Sequence, residues 1–401
     1  MSARHILFVE TEGGTLQTLM RGLAGSHDDW HIVRIAELDA AVEMLSQRAF
    51  CVVLASCGAK HADCEHFLHQ VQSRTPAVMR FAVLPDTAGA HGSIELPSAC
   101  QCFPAHCPPS EIAIAISRGI EVWLQCRENA RLTNLLADLD NIPTPPRLYF
   151  DIREELNSPN SDARSIAAII SSDPSISAKI LKVANSGFYA LPRSVTEIRD
   201  AITFLGVDTV VTLVLAAHVF KRLPVPGVNL DALWQHSLSV SAMAQQIVVQ
   251  EGGDRLTVNT AGVAGLLHDI GELILLANVP DVYYPMIRRF AGDEDARLAM
   301  ELEHFGVTHA QLGSNVLSLW SLPDAVVEAV ALHHDVSRHA GDKASLTNKA
   351  VFAAERFLQE ESPGDRETEL HDRELENCLG STRKEIRRWR EACAQRLSKT
   401  L

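Results

Sequence analysis

Val263-Ala-Gly-Leu-Leu-His268-Asp269-Ile270-Gly271-Glu272 is the stretch on which the reading of this chain turns. It is an apolar helical run that carries an adjacent His-Asp pair. An imidazole and a carboxylate side by side can both donate a lone pair to one divalent cation. The dipeptide by itself is equally compatible with a helix end capped by Asp. Its company carries more weight. His236 precedes it, His309, His333 and His334 follow it, and Glu355 lies in a later helical stretch.

Outward from this stretch, residues 147–360 read as almost entirely helical, with apolar residues recurring at the helical period. Asp173-Pro174 starts one helix as an N-cap followed by proline at the first helical position. Val258–Asn278 reads as one continuous helix through the His-Asp pair. Arg199 has Asp173 and Asp200 as candidate partners for a buried ion pair. Beyond residue 360 an acidic loop leads to a helix over 373–397. Its Arg383-Lys384-Glu-Ile-Arg387-Arg388-Trp389-Arg390 segment could touch phosphate or membrane. A solvated basic face with Trp389 turned inward is the favoured alternative.

Residues 1–122 have a different texture, strands alternating with helices. His5–Val9, His31–Ile35, Phe50–Ala55, Arg80–Leu84 and Cys100–Phe103 read as strands, with helices over Thr15–Leu23, Glu37–Gln47 and His61–Arg74 between them. Phe50–Ala55 is continuously apolar, as expected at the centre of a parallel sheet. The alternation predicts a doubly wound, five-stranded parallel sheet of α/β type. Cys57, His61 and Cys64 follow the third strand, and Cys102, His106 and Cys107 follow the fifth. These groups could hold Zn²⁺ or sense redox state at the carboxyl ends of the strands. Small buried thiols are the favoured alternative.

Ser110–Leu139 has few helix breakers. Its apolar stripe through Leu132, Leu135, Leu136 and Leu139 runs beyond what covering a sheet requires. It is therefore a candidate self-association element, and a homodimer is expected; a packed linker is the equal alternative. Asp140-Asn-Ile-Pro-Thr-Pro-Pro146 marks a boundary. The expected organisation is multidomain: an α/β domain over 1–122, a linker helix over 123–140, an all-α domain over 141–360 and a C-terminal loop and helix over 361–401.

Composition narrows the function classes. The net charge of −14 argues against a domain-wide nucleic-acid footprint. No apolar run reaches the roughly eighteen residues of a membrane span, and the first residues lack a signal-peptide pattern. A cytoplasmic protein is expected. There its nine cysteines should be reduced thiols.

The N-terminal pattern resembles the receiver domain of response regulators. Ile6-Leu-Phe-Val-Glu10-Thr11-Glu12 sits where receivers place their acidic cluster, and Ser56 ends the third strand where they carry the phosphorylated aspartate. The hydroxyl residue and the lysine of the family fall near Leu84-Pro85 and Ala105-His106. With Glu10, Thr11 and Ser56 at its key positions, the pocket lacks the carboxylate nucleophile and the lysine. The resemblance implies a receiver fold without phosphorylation chemistry, a pseudo-receiver.

The second half resembles the HDOD family, the HD-related output domains of bacterial signalling proteins. The resemblance rests on Leu139–Pro146, Ile170–Tyr189, Val195–Gly206, Leu266–Gly271, Gly306–Gly313, Leu319–Pro323 and Ala331–His334, in that order. It implies an HD-like helical fold related to metal-dependent phosphohydrolases, among them cyclic-di-GMP phosphodiesterases. Family members are generally viewed as acting through partners rather than as enzymes. Carried over residue by residue, the match assigns a first metal to His236, His268, Asp269 and Glu355, with Glu in place of the usual Asp, and adds His309 and His333 for a second. The ion would be Mn, Fe, Mg or Zn. The family's lysine partner is here Glu272, which would repel a phosphodiester, and no GYP signature follows His334. Asn185, Phe188 and Tyr189 form the family-specific loop and are candidate partner contacts. The implied function is a non-catalytic signalling protein whose partners are other signalling proteins, such as cyclic-di-GMP enzymes or kinases. The alternative is an HD-type phosphohydrolase acting on a nucleotide or cyclic-di-GMP.

Overall fold

Five strands lie in one sheet: β1 (Arg4–Glu10), β2 (Trp30–Ile35), β3 (Val52–Ser56), β4 (Met79–Leu84) and β5 (Gln101–Pro104). Their order is β2-β1-β3-β4-β5, and every pairing is parallel. The computed structural model describes residues 4–10, 19, 29–58, 61–85, 96–186, 194–222, 228–335, 345–359 and 366–397. The expected helix at Thr15–Leu23 lies, but for Leu19, outside them. β3 is buried along its whole length, as an apolar strand must be when helices cover both faces of a parallel sheet. Crossovers between described strands use α1 (Leu38–Gln47) and α2 (His61–Arg74).

The single helix expected over Ser110–Leu139 is two helices, α3 (Pro109–Glu128) and α4 (Ala130–Asp138). Asn129 separates them in extended backbone (φ −132°, ψ 94°) and caps the second, its side-chain oxygen accepting from the Leu132 N–H at 3.1 Å. The Asn129 amide nitrogen donates to the Gly306 carbonyl at 2.7 Å. Asn is a strong capping residue, and here its tertiary bond outweighs helix continuity. Leu132, Leu135, Leu136 and Leu139 are all buried. The stripe is covered by the chain itself, so the reason for expecting self-association through it disappears.

The chain divides into two compact units. The first comprises Met1–Glu154, Ile274–Thr308 and Asn315–Ser321. It holds the sheet, both helices that flank Asn129, and a buried hydrogen bond from the Tyr283 hydroxyl to Glu301 at 2.7 Å. The second comprises Glu155–Leu273, His309–Ser314 and Leu322–Leu401 and is built of helices. Among the described residues one helical stretch, Arg255–Asn278, is apolar and long enough to cross a membrane, and 83% of its apolar window is buried inside the protein.

Cys57 and Cys64 are joined as a disulfide, which corrects the expectation that every cysteine is a reduced thiol. Their Cα atoms are 5.7 Å apart, a separation that sequence spacing does not reveal and that suits a bridge. Cys51, Cys100, Cys107, Cys126 and Cys393 are free and buried. Neither cysteine–histidine group at the strand ends gathers into a metal-holding set among the described residues. At the other end of the chain Trp389 points inward and donates to Glu251. Arg388 pairs with the same Glu251, Arg390 with Asp372 and Arg383 with Glu376. Much of the basic segment is thus neutralised inside its own unit.

Candidate metal centre

The second unit brings histidines and carboxylates from distant stretches to one point. His236 comes from α10 (Leu230–Gln250) and Glu355 from α17 (Leu346–Gln359). The helix expected across the His-Asp pair breaks there: α11 spans Arg255–Leu267 and α12 begins at Ile270. His268 and Asp269 are therefore presented at a helix junction. His309 opens α15 (His309–Leu319), and His333 and His334 lie in the turn after α16 (Asp324–Ala331). The approach of α10 to α11 is close because Gly265 has no side chain: a Cβ there would lie 2.8 Å from the Ser241 Cα. Nearby, the Ser241 hydroxyl donates to the Gly262 carbonyl at 2.8 Å.

Two donor groups result, and they share Asp269. In the first, His268 Nε2 is 3.0 Å from Asp269 Oδ2 and 3.2 Å from His236 Nε2. Glu355 Oε2 is 3.0 Å from His236 Nε2 and 3.3 Å from His268 Nε2. In the second, Asp269 Oδ1 is 3.4 Å from His333 Nε2 and 3.7 Å from His309 Nε2, and His309 Nε2 is 2.9 Å from His334 Nε2. His268, His309 and His333 are fully buried or nearly so.

Two of the imidazoles are oriented from behind. His268 Nδ1 bonds the Gly265 carbonyl at 2.8 Å and His333 Nδ1 bonds the Val330 carbonyl at 2.7 Å. A carbonyl only accepts, so Nδ1 carries a proton and Nε2 is the nitrogen turned to the centre, the arrangement metal-ligating histidines use.

Electrostatics follow from this crowding. Burial disfavours a charged His268, but Asp269 and Glu355 outweigh it and hold its pKa well above the usual value. His236 is raised against the same opposition, chiefly by Glu355. Burial pushes His333 down. Burial also opposes ionisation of the two carboxyls, yet His268 holds Asp269, and His236 with His268 holds Glu355, below the ordinary carboxylate range.

The donor chemistry suits a metal. His333 Nε2 and Glu355 Oε2 are buried without a hydrogen bond that satisfies them, and stranded buried lone pairs are costly unless something fills them. Groups of imidazole and carboxylate with no thiolate fit Fe, Mn or Zn.

Residues 142–336 match the HDOD domain family. That span includes every histidine of the centre and Asp269, whereas Glu355 lies beyond its end. An uncharacterised protein of Treponema pallidum (strain Nichols) is 23% identical over 253 residues, 62% of this chain; the chain spans about half, 48%, of that protein's length. An HDOD domain protein of unknown function from Geobacter sulfurreducens shares the fold at 24% identity and a TM-score of 0.51, covering 67% of this chain and 97% of its own. A protein from Shewanella amazonensis SB2B, named as a candidate phosphohydrolase, does so at 24% identity and a TM-score of 0.54, covering 68% and 96%.

The other expected sites fare differently. Glu10 and Ser56 are partners in the β1–β3 register, and both are buried. The Glu10 carboxylate is paired with Arg34 at 2.7 Å. Thr11, Phe188 and Tyr189 lie outside the described residues. Asn185 has its amide engaged internally, donating to the Leu181 and Val195 carbonyls at 2.8 and 2.7 Å and accepting from the Val195 N–H at 2.7 Å. It staples the segment after residue 193 onto α7 (Pro174–Ala184). Asp173 caps that helix as expected, accepting from the Ser175 and Ile176 N–H groups. Arg199 makes no buried pair: it is half exposed, beside Glu197 at 3.3 Å and Asp200 at 4.0 Å.

Proposed function

We propose that this chain is a signalling protein whose HDOD domain holds a two-metal centre of phosphohydrolase type, acting on a phosphoester such as a nucleotide or cyclic dinucleotide. The sharing of Asp269 between two histidine groups supports this most. A carboxylate with one oxygen toward each group sets two sites side by side, the arrangement two-metal hydrolases use. His236, His268, Asp269 and Glu355 would hold one ion, and Asp269, His309, His333 and His334 the other. Such a pair, when bound, supplies positive charge against the charge that develops on a phosphoryl group. The residues themselves fix the geometry: His268 and His333 are locked in ring orientation by backbone carbonyls, and Asp269 spans both groups. Two carboxylates against two divalent ions leave net positive charge to attract a phosphate. For tetrahedral Zn²⁺ four donors close each site, whereas Mn²⁺ or Fe²⁺ with six-fold coordination keeps positions open for substrate.

One observation favours a second reading, a metal-holding adaptor that works through partners. Glu272, buried and three residues along from Asp269, places an acid where related hydrolases carry a lysine. Full-length protein loaded with Mn²⁺ or Fe²⁺ and given cyclic-di-GMP or a general phosphodiester distinguishes the two. Sustained turnover is expected. Full metal occupancy with no turnover on either substrate would establish the adaptor instead.

The sheet-bearing unit fits a pseudo-receiver. Its buried acid already has a guanidinium as counterion, and Ser56 stands in the acceptor position. Incubation with acetyl phosphate and Mg²⁺ is expected to leave the intact mass of the protein unchanged. Stoichiometric gain of one phosphoryl group on residues 1–122 would refute it.

A further inference from the structure

Cys57 and Cys64 stand apart from the chemistry described so far. Cys57 follows directly on β3, where its N–H donates to the Val83 carbonyl at 2.9 Å, and Cys64 lies in the first turns of α2. Their bond ties the carboxyl end of the central strand to the start of the next helix. Doubly wound sheets place ligand and switching chemistry on that edge, because strand ends and helix starts converge there. The neighbouring residue Ser56 is in register with Glu10 on one side and Val83 on the other, so the tie sits at the middle of the sheet.

The remaining described cysteines of this unit are a natural contrast. Cys51, Cys100, Cys107 and Cys126 are buried and unbridged. Burial pushes the Cys51 thiol up to about 11 and the Cys126 thiol to about 12, which keeps them protonated and poor nucleophiles. Among the described cysteines of the unit, Cys57 and Cys64 are the bridged pair. The bridge is also local, its ends seven positions apart in the chain. A closed loop that short constrains the unfolded chain less than a long one, so a purely architectural role is the weaker explanation for it.

We propose that Cys57 and Cys64 form a reversible thiol–disulfide couple through which the sheet-bearing unit responds to oxidants. Oxidation by a hydroperoxide proceeds in two steps. One thiolate attacks the peroxide oxygen, giving a sulfenic acid and releasing water or an alcohol. The second thiolate then attacks that sulfur, the S–S bond forms and hydroxide leaves as water. Reduction needs a cellular dithiol of thioredoxin type. Its first thiolate attacks one sulfur and expels the other as a thiolate, and its second thiol resolves the mixed disulfide, leaving two cysteines and an oxidised reductant.

The test uses the full-length protein. It is reduced, freed of reductant without air, equilibrated in glutathione buffers of graded ratio, then alkylated and digested with trypsin. Cleavage after Arg48, Lys60 and Arg74 puts Cys57 in 49–60 and Cys64 in 61–74, so the oxidised pair appears as one cross-linked species. The expected result is a cross-link that rises and falls reversibly across the glutathione series, with Cys51 alkylated throughout. Amide exchange in the first turns of α2 should quicken on reduction. Three outcomes would overturn the proposal: no cross-link at any ratio, a cross-link that a thioredoxin-type dithiol cannot remove, or earlier oxidation of another cysteine. Because the wild-type chain is the one titrated, a misfolding Cys57→Ser variant cannot obscure the answer.

Discussion

Asp269→Asn is expected to empty both halves of the metal centre at once. Metal content of the loaded protein should fall from two ions per chain toward none, and any phosphodiester turnover should drop by more than about a hundredfold, the upper range seen when even a supporting residue is lost. The reason is geometric. Oδ2 lies 3.0 Å from His268 Nε2, and Oδ1 lies 3.4 Å from His333 Nε2, so this is the one side chain facing both groups. An amide offers one neutral oxygen and one NH₂ donor in place of two anionic oxygens. It removes charge from both sites and turns a donor toward one of them. His236→Ala touches only the first group and should remove one ion. Elemental analysis of the variants after loading and desalting checks the pattern. Two ions retained by Asp269→Asn would show that the carboxylate is not the shared ligand.

Gly271→Ala should produce the largest loss of stability of any single methyl addition near the site. A Cβ at residue 271 would stand 1.9 Å from the His309 carbonyl oxygen and 2.8 Å from the Gly313 backbone nitrogen. Both obstacles are backbone, so no rotamer change relieves the clash, and the two helices must separate. Overpacking of this kind costs about 3 kcal/mol or more. Because His309 is the residue pushed, the second metal group should loosen with it. Urea unfolding and metal analysis of the same sample test both effects. A stability within about 0.5 kcal/mol of wild type would mean that the helices do not approach as described.

The sequence made some of this legible and hid the rest for identifiable reasons. The alternation of strands and helices gave the parallel sheet, since buried strands write themselves as apolar runs. The His-Asp pair pointed at the centre, and His236, His309, His333 and Glu355 meet it in space. His334 was not assigned as a ligand. It follows directly on His333, and α16 has already ended at Ala331, so the turn brings both rings to the second group. The break at Asn129 was signalled by a strong capping residue, but only its bond to the Gly306 carbonyl, 177 residues away in the chain, decides against a continuous helix. The apolar stripe at Leu132–Leu139 demanded a cover without saying that the chain supplies it. The Cys57–Cys64 pairing depends on a Cα separation that spacing does not encode.

The ligands of the centre enter from five separate places along the chain, none of them a continuous motif: a helix, a helix junction, a helix start, a turn and a second helix. An unfolded chain cannot present them together, so an ion held at the proposed centre would bind the folded state alone and draw the equilibrium toward it. Free metal at a hundred times its dissociation constant adds about 2.7 kcal/mol to the folded form. With the proposed centre loaded, the cell's supply of that ion would set how much of this protein stays folded, and its abundance would become a readout of metal status.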